Sequence, residues 1–588
     1  MIKPAITALA LALFGTAAIA ASAPAVEGGR GMVVTSQRIA SEVGADILRR
    51  GGNAVDAAVA VGYAQAVVNP CCGNIGGGGF MVLHLADGRD RFINFREMAP
   101  AAATADMYLD TNRDVIPGAS LFGSRAAGVP GTVMGLEAAR EKYGTMDRAT
   151  LMAPAIALAQ DGFTLTRGDT DILDSKFADF RKSPAAARIF LSPDGTSFRP
   201  GERLRQPELA QTLRDIAARG TDGFYKGRIP AAVAALSRQD GGILTEDDFA
   251  RYTITDTQPL RCGYRGAVIL SAPPPSSGGA TICEILQVLA GYDLTTMGWH
   301  GAQSVHVMTE AMRHAYLDRN TYLGDPAFVT NPIERLLSPE YAAAIRAQIG
   351  PRATPSQDLR PGTAPHEKTE TTHYSIVDRA GNAVAVTYTI NGAFGSFAVA
   401  DGTGFLLNNE MDDFTIKVGV PNLFGLVQGQ ANAVAPGKRP LSSMAPTILT
   451  RDGKTILVTG SPGGSRIITI VLQTIVNMLD HGMAPQEAVD APRIHHQWLP
   501  DVLYAEPFAL SPDTARLLRD EGYTITEQVP WGAAEMVAVG VVRAAGPGSG
   551  AGPGAGASTS DSALSRMRPG LLYGANDDRR PAGAAVGE

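Results

Sequence analysis

The sequence predicts an α+β fold, in which strands and helices occupy partly separate stretches of the chain, and three observations support this. Two β-rich runs flank a turn at Gly381 and Asn382, which is typical of a hairpin. Residues from about 125 to 350 show mainly helical apolar spacing. Near residue 460, an apolar strand, a glycine-rich turn and an apolar helix follow one another.

The first residues of the chain have the character of a secretory signal peptide. Lys3 precedes an apolar run at 5–19, and small residues that suit cleavage occupy 18–20 and 21–23. We therefore assign residues 1–23 to a signal peptide, which predicts a periplasmic or secreted protein. An uncleaved membrane anchor is the alternative. No later apolar run approaches the ~20 residues of a membrane span, so we expect no stable membrane insertion.

Two helices and a hairpin are expected next. Residues 36–50 carry apolar side chains at helical spacing and precede a Gly-Gly pair, which suits a helix C-terminus. Residues 56–68 are nearly all apolar, as in a buried helix. After the glycines at 76–79, which do not match the dinucleotide-binding pattern, residues 80–85 and 91–95 predict the two strands of one hairpin.

Arg96 directly follows the second of these strands. A guanidinium can donate two parallel hydrogen bonds to a carboxylate, so Arg96 is a candidate for anion recognition. The alternative is an ion pair with Glu97 or another acid, which is the usual role of an arginine. Further along, the predicted helices are 131–143, 151–160, 207–219, 230–239, 281–289 and 304–319.

Thr371 stands where an irregular segment meets the first strand of the later hairpin. Residues 351–370 contain several prolines and many charges, which predicts an exposed, irregular stretch. If the bond before Thr371 were cut, the freed α-amine would lie beside the threonine's own hydroxyl and could act as its general base. A strand-edge threonine without chemistry is the alternative, and spacing alone does not decide between them.

Residues 406–414 place two Asn, one Glu and two Asp in one loop. So many acids repel one another unless a cation lies among them, and an ammonium group suits as well as a metal ion. A solvated acidic turn is the alternative.

The glycine-rich turn at 460–464 lies between a predicted buried strand at 455–459 and a predicted helix at 467–479. A strand-to-helix turn of this kind directs free backbone N–H groups at an anion. Phosphate is the generic ligand of such a turn, but the Gly-Lys-Ser/Thr sequence of phosphate-binding loops does not follow.

Composition and the remaining motifs exclude several function classes. The net charge of −7, the sequence pI of about 5.8 and the absence of a long basic run argue against a nucleic-acid partner. The sequence patterns of zinc and calcium sites do not occur, so we predict no metal site. The histidine pairs His306 and His314, and His495 and His496, are interpreted as structural.

Two further features bear on chain organisation. The four cysteines can form disulfides after export, but adjacent cysteines such as Cys71 and Cys72 seldom bond each other, and the pairing is not readable from the sequence. Residues 544–560 consist almost entirely of Gly, Ala, Pro and Ser, which predicts a disordered insertion.

Five motifs in order resemble those of the γ-glutamyltranspeptidases. They lie at residues 371–375, 381–389, 406–414, 438–444 and 460–466. The similarity extends from about residue 31 to about residue 575, and several motifs in order over that length are specific where any one alone is weak. The resemblance implies the N-terminal-nucleophile hydrolase fold, a four-layer αββα sandwich, and no cofactor.

The resemblance also implies autocatalytic cleavage between Glu370 and Thr371. The precursor would then yield a large subunit, residues 24–370, and a small subunit, residues 371–588, that together form a heterodimer. The implied activity is that of a γ-glutamyltransferase and glutathione hydrolase. Its substrates are small molecules: glutathione, related γ-glutamyl amides, and amino-acid or dipeptide acceptors.

The resemblance implies a role for each matching position. The implied catalytic residues are Thr371 as nucleophile, Thr389 as hydrogen-bond partner of its amine, and Gly463 and Gly464 as the oxyanion hole. The implied substrate-binding residues are Arg96, Ser442 and Ser443 for the α-carboxylate, and Asn391, Glu410 and Asp413 for the α-amine. Two positions of the site depart from the common pattern: Glu410 replaces Gln of many bacterial members, and Phe424 replaces Tyr in a lid at 418–430. Outside the site, residues 531–536, Asn576 and Asp578 also depart from it.

Two alternatives to this function remain open from the sequence. A cephalosporin or glutaryl acylase of the same fold would bind an acyl group that has no α-amine, and it would have no use for Glu410 and Asp413. A catalytically inactive periplasmic protein that binds γ-glutamyl peptides would retain the pocket, with Thr371 as a merely structural residue.

Overall fold

Two antiparallel sheets lie face to face between helical layers in the computed structural model of this chain, which describes residues 22–356, 371–540 and 562–588. Most of the predicted signal peptide (residues 1–21), the Glu370 side of the predicted cleavage site and the predicted insertion at 544–560 lie outside the described residues.

The strands of the described residues are, in chain order, β1 Val26–Gly28, β2 Met32–Thr35, β3 Gly78–His84, β4 Asp90–Asn94, β5 Phe163–Thr164, β6 Arg203–Leu204, β7 Thr255–Thr257, β8 Leu260–Tyr264, β9 Ala267–Ser271, β10 Thr372–Val377, β11 Ala383–Thr389, β12 Thr447–Arg451, β13 Lys454–Gly460, β14 Ile494–His495, β15 Leu503–Ala505, β16 Ile525–Glu527, β17 Glu535–Val539, β18 Leu572–Asn576 and β19 Ala584–Gly587.

Each of the two main sheets contains seven of these described strands. One sheet has the order β1-β18-β17-β13-β12-β9-β8, and the other has the order β19-β2-β10-β11-β3-β4-β7. Neighbouring strands are antiparallel throughout both sheets. Two small sheets, β14-β15-β16 and β5-β6, lie outside them.

The helices of the described residues are α1 Arg38–Arg49, α2 Ala54–Val68, α3 Thr132–Tyr143, α4 Arg148–Asp161, α5 Arg167–Asp174, α6 Phe177–Phe180, α7 Pro184–Phe190, α8 Pro207–Arg219, α9 Asp222–Tyr225, α10 Arg228–Asp240, α11 Glu246–Arg251, α12 Gly278–Leu289, α13 Leu294–Met297, α14 Ala302–Tyr322, α15 Ile333–Leu336, α16 Pro339–Gln348, α17 Ile467–Leu479, α18 Pro485–Asp490, α19 Pro512–Asp520 and α20 Ser562–Arg566. Short 3-10 turns span Ser124–Ala126, Glu410–Asp413, Gln430–Asn432 and Gly464–Arg466. No described helix combines the length and apolarity that a membrane crossing requires.

The helices cover the outer face of each sheet. Helices α1, α2 and α3 pack on the sheet that contains β10 and β11, whereas α12, α17 and α18 pack on the sheet that contains β13 and β17. The inner faces of the two sheets meet where β10 and β11 contact β13. The predicted four-layer αββα sandwich is therefore confirmed.

Local sequence signals account for the best-predicted elements. Helix α2 begins where the Asn53 side chain accepts hydrogen bonds from the backbone N–H groups of Val55 and Asp56, and all of its residues are buried. Helix α1 ends before Gly51, whose φ of 92° suits glycine. The predicted hairpin is β10 paired with β11, with Val377 opposite Ala383.

The cysteines form two disulfide bonds, Cys71–Cys72 and Cys262–Cys283. The first joins adjacent residues, a pairing that the sequence argument treated as uncommon. The second joins strand β8 to helix α12.

Candidate active site

One pocket, at the ends of strands β10 and β11, contains almost all of the predicted site residues. It is lined by Arg96, Thr371, Thr389, Asn391, Glu410, Asp413, Ser442, Ser443 and Gly464, and also by Arg319, Phe424, Leu426, Met444 and Ile467. Gly463 directly precedes Gly464 in the same turn. Residues that are far apart in the sequence, from Arg96 to Ile467, therefore meet around Thr371.

Thr371 lies immediately before strand β10 and is buried. Because β10 pairs with β11 with Thr372 opposite Tyr388, Thr371 comes to lie beside Thr389 at the strand ends. The Thr371 hydroxyl donates to Thr389 Oγ1 over 3.3 Å, and Thr389 Oγ1 also accepts from the backbone N–H of Asn391 over 2.8 Å. The hydrogen bond from the Asn391 N–H therefore holds the Thr389 hydroxyl in contact with the candidate nucleophile.

The nearest histidine in sequence, His373, is held in a neutral network between the sheets. One ring nitrogen lies 2.8 Å from Thr387 Oγ1 and the other 3.0 Å from Ser375 Oγ. Burial lowers the pKa of His373 to about 3. A ring with that pKa is a poor general base at neutral pH, and both of its nitrogens already have hydrogen-bond partners. His373 is therefore unsuited to accept the proton of the Thr371 hydroxyl.

Arg96 lies fully buried among three carboxylates. Its guanidinium donates to Glu410, Asp413 and Glu97 and, through Nε, to the carbonyl oxygen of Pro440 over 3.2 Å. Burial acts to lower the pKa of Arg96, but the three carboxylates outweigh it and raise the pKa above its ordinary value. In this structure the cation among the acids of residues 406–414 is Arg96, where the sequence led us to expect an ammonium group or a metal ion. The ion pairs of Arg96 with Glu97, Glu410 and Asp413 are the alternative role that the sequence left open for this arginine. The alternative of a solvated acidic turn is wrong, because the loop is buried.

Two of these carboxyl groups titrate unusually. Burial raises the pKa of Glu97 to about 7 and raises that of Glu410 well above its usual value, although Arg96 opposes both shifts. One oxygen of Glu410 and one of Glu97 have no hydrogen-bond partner in the described part of the chain. Burial without a full set of partners therefore favours the protonated, neutral form of both carboxyl groups.

The serine pair does not join Arg96 directly. Ser443 Oγ accepts a hydrogen bond from Arg319 Nη2 over 2.9 Å, and Ser442 Oγ accepts one from the backbone N–H of Met444 over 3.1 Å. Arg319, near the end of helix α14, is a pocket residue that sequence reasoning missed. The spacing of residues 304–319 marks a helix, but it does not reveal that its last turn reaches the pocket.

The glycine turn forms part of the wall of the pocket through Gly464. Gly463 has a φ of 147° and Gly464 a φ of 55°, backbone conformations that side chains disfavour. A Cβ at position 464 would lie 2.4 Å from Cδ1 of Phe424, so the lid ring packs directly on the glycine backbone. This turn leads into helix α17, whose N-terminal end suits an anion.

The predicted lid is tied down by carboxylate and amide side chains. Asp412 accepts hydrogen bonds from the Ser120 hydroxyl over 2.7 Å and from the backbone N–H of Leu423 over 2.8 Å. Asn422 Oδ1 accepts from the backbone N–H of Phe424 over 3.0 Å. Burial raises the pKa of Asp412 to about 6. Two residues of this segment, Phe424 and Leu426, line the pocket.

None of the histidines in the described part of the chain lines this pocket. His306 and Gly350 share a hydrogen bond of 2.8 Å, and His495 bonds Thr469 and Gln497. Among residues 22–356, 371–540 and 562–588, no cluster of three or more His, Cys, Asp or Glu side chains is arranged to hold a metal ion.

Comparisons with known proteins agree on one family. The family model described as gamma-glutamyltranspeptidase matches residues 40–556. A "Glutathione hydrolase proenzyme" of Pseudomonas sp. (strain A14) is 55% identical over 582 residues, covering 99% of this chain and 98% of that protein. The protein of the same name from Escherichia coli (strain K12) is 46% identical, covering 92% and 96%. Among solved structures, a cephalosporin acylase from Bacillus halodurans has a TM-score of 0.81 at 26% identity, covering 98% of both chains.

Proposed function

This chain belongs to the gamma-glutamyltranspeptidase family, and we propose that it is a glutathione hydrolase and γ-glutamyltransferase whose nucleophile is Thr371. The observation that carries the proposal is the pocket itself, which places a threonine hydroxyl, a guanidinium and an acidic pair side by side. A γ-glutamyl group presents one carboxylate and one ammonium, which match these charges.

The first step of the proposed chemistry is cleavage of the precursor. Thr371 Oγ attacks the carbonyl carbon of Glu370, the C–N bond breaks as the new C–O bond forms, and the threonine nitrogen gains the proton lost by the hydroxyl. Water then hydrolyses the ester. The products are a large subunit of residues 24–370 and a small subunit of residues 371–588, which remain associated because β10 and β11 lie at the centre of a shared sheet.

In turnover, the freed α-amine of Thr371 takes the proton of its own hydroxyl. The oxygen attacks the γ-carbonyl carbon of the substrate, and the backbone N–H groups at Gly463 and Gly464 stabilise the oxyanion, each by about 3–4 kcal/mol. The tetrahedral intermediate expels the amine, which leaves with the proton. Water or an amino acid then attacks the γ-glutamyl ester and regenerates the enzyme.

Recognition of the substrate rests on charge. Arg96, with Ser442 and Ser443 nearby, offers donors to the α-carboxylate, whereas Asp413 and Glu410 accept from the ammonium. Asn391 is held in place by its Nδ2 hydrogen bond of 2.9 Å to the Asn409 carbonyl. A substrate carboxylate can replace Glu410 or Asp413 on Arg96, and the released acid then faces the substrate ammonium.

The acylase alternative is tested by the acyl group. Purified protein is assayed with γ-glutamyl-p-nitroanilide and glutaryl-p-nitroanilide, which differ only in the α-amine. We expect kcat/KM to favour the γ-glutamyl compound at least 100-fold and this preference to shrink in Asp413→Asn. Faster turnover of the glutaryl compound would establish an acylase, and an uncut chain that binds but does not turn over either compound would establish a binding protein. Thr371→Ala is the matched inactive control.

We further propose that residues 1–23 are a signal peptide that directs the precursor to the periplasm or the medium. Fractionation of the producing cells tests this location, and a large subunit that retains residues 1–23 would contradict it.

A further inference from the structure

Arg319 is a second buried guanidinium at the wall of the pocket, near the end of helix α14. Its Nε donates to Ser277 Oγ and its Nη2 to Ser443 Oγ, each over 2.9 Å. Its Nη1 donates to Asn320 Oδ1 over 2.7 Å and to Gln428 Oε1 over 3.3 Å. All four partners are neutral oxygens, and none of the carboxylates in the described ranges forms an ion pair with it.

The two arginines of the pocket therefore differ in kind. The Arg96 guanidinium already has the carboxyl groups of Glu97, Glu410 and Asp413 as direct partners, so an incoming anion must displace one of them to reach it. Arg319 keeps its charge uncompensated by a direct partner, in surroundings where electrostatic attraction is poorly screened. Although burial lowers the pKa of Arg319 to about 10, it remains protonated at neutral pH.

The hydrogen bond to Ser443 also sets the direction of that hydroxyl. A serine hydroxyl has one proton to donate and two lone pairs to accept with. Because Arg319 Nη2 occupies a lone pair, the Ser443 proton is directed to another acceptor. Ser443 lines the pocket in which the substrate carboxylate is proposed to bind.

We propose that Arg319 is a positioning residue for the α-carboxylate: it supplies a positive charge that no carboxylate pairs directly, and it orients the Ser443 hydroxyl to donate to the substrate carboxylate. This inference rests on the proposed function and adds a residue to its substrate recognition. Ser277 accepts from Nε of the same guanidinium and donates its own proton to the Ser442 carbonyl, so it holds Arg319 rather than the substrate.

The test separates recognition of the carboxylate from a merely structural role. Wild type, Arg319→Gln and Arg319→Lys are assayed with γ-glutamyl-p-nitroanilide and with 4-aminobutyryl-p-nitroanilide, which is the same acyl group without its carboxylate. We expect Arg319→Gln to lose about 30-fold or more in kcat/KM on the γ-glutamyl compound, mainly through KM, and less than about 3-fold on the other. Arg319→Lys keeps the positive charge but not the planar set of guanidinium donors. Its loss in kcat/KM should therefore show the same preference between the two substrates and be smaller.

The matched control is Arg313→Gln, which removes a buried arginine from the same helix away from the pocket. It should affect both substrates equally. Equal losses on both substrates in the Arg319 variants, or no loss, would overturn the inference. If Arg319→Gln fails to process, the substrate ratio of Arg319→Lys decides. A wild type that does not hydrolyse the γ-glutamyl compound would instead refute the proposed function.

Discussion

Replacing Gly464 with alanine should damage catalysis through two separable effects. The φ of 55° costs an alanine about 1–2 kcal/mol relative to glycine. The new Cβ would also lie 2.4 Å from Cδ1 of the Phe424 ring, far inside van der Waals contact, so the lid or the turn must shift. Forced overpacking of this kind costs about 1–3 kcal/mol more. We expect a combined loss of about 2–5 kcal/mol, divided between folding and transition-state stabilisation.

Gly453 provides a matched control for the backbone effect. It has a φ of 72°, and a Cβ there would meet nothing within 4 Å. Gly453→Ala should therefore lower the free energy of unfolding by only about 1–2 kcal/mol and leave kcat unchanged. Gly464→Ala should lower kcat about 100-fold, because the displaced N–H no longer stabilises the oxyanion.

The assay combines hydrolysis of γ-glutamyl-p-nitroanilide with urea unfolding of the purified, processed protein. The double variant Gly464→Ala with Phe424→Ala removes the ring that the new methyl meets, so it should recover part of the lost rate but not the backbone cost. The steric reasoning would be refuted if Gly464→Ala behaved like Gly453→Ala, or if the double variant were no faster than Gly464→Ala alone.

Three further predictions follow from single contacts. Thr389→Val removes the acceptor for the Thr371 hydroxyl and a backbone N–H, so kcat in steady-state hydrolysis should fall about 10- to 100-fold with little change in KM; an unchanged kcat would refute the role of Thr389. Replacement of both Cys262 and Cys283 by serine should lower the free energy of unfolding in urea titration by about 3 kcal/mol, and an unchanged value would argue against the Cys262–Cys283 disulfide bond. Burial lowers the pKa of His300 to about 4 from an ordinary value of about 6.5, so its neutral ring stabilises the fold above pH 6.5 and this stability, about 3 kcal/mol, is lost as pH falls towards 4. His300→Asn should flatten the acid limb of a stability–pH curve, and a curve parallel to that of the wild type would count against this assignment.

The sequence predicted the elements whose signals are local. A few neighbouring residues are enough to predict the apolar helix α2, the turn at Gly381 and the strand-turn-helix around Gly464. All three occur in the structure. The motifs also led to the residues that line the pocket, since each matches a family position.

Features set by tertiary packing could not be predicted from the sequence. Strand β18 pairs with β17 and β1, which come from opposite ends of the chain, and no local pattern encodes that neighbourhood. The contact of Arg96 with Glu410 and Asp413 joins residues far apart in sequence, and spacing did not indicate that the same guanidinium would neutralise the acidic loop. Arg319 was missed for the same reason, because its importance depends on where one helix end points.

Catalysis by Thr371 depends most directly on the new chain end that cleavage before this residue creates. The decisive measurement is N-terminal sequencing of the smaller fragment from active protein, after separation on a denaturing gel. We predict a sequence that begins Thr-Thr-His-Tyr-Ser, which is residues 371–375, and a single uncut and inactive chain for Thr371→Ala. Full activity in an uncut chain, or a fragment that begins at any other residue, would contradict the central claim.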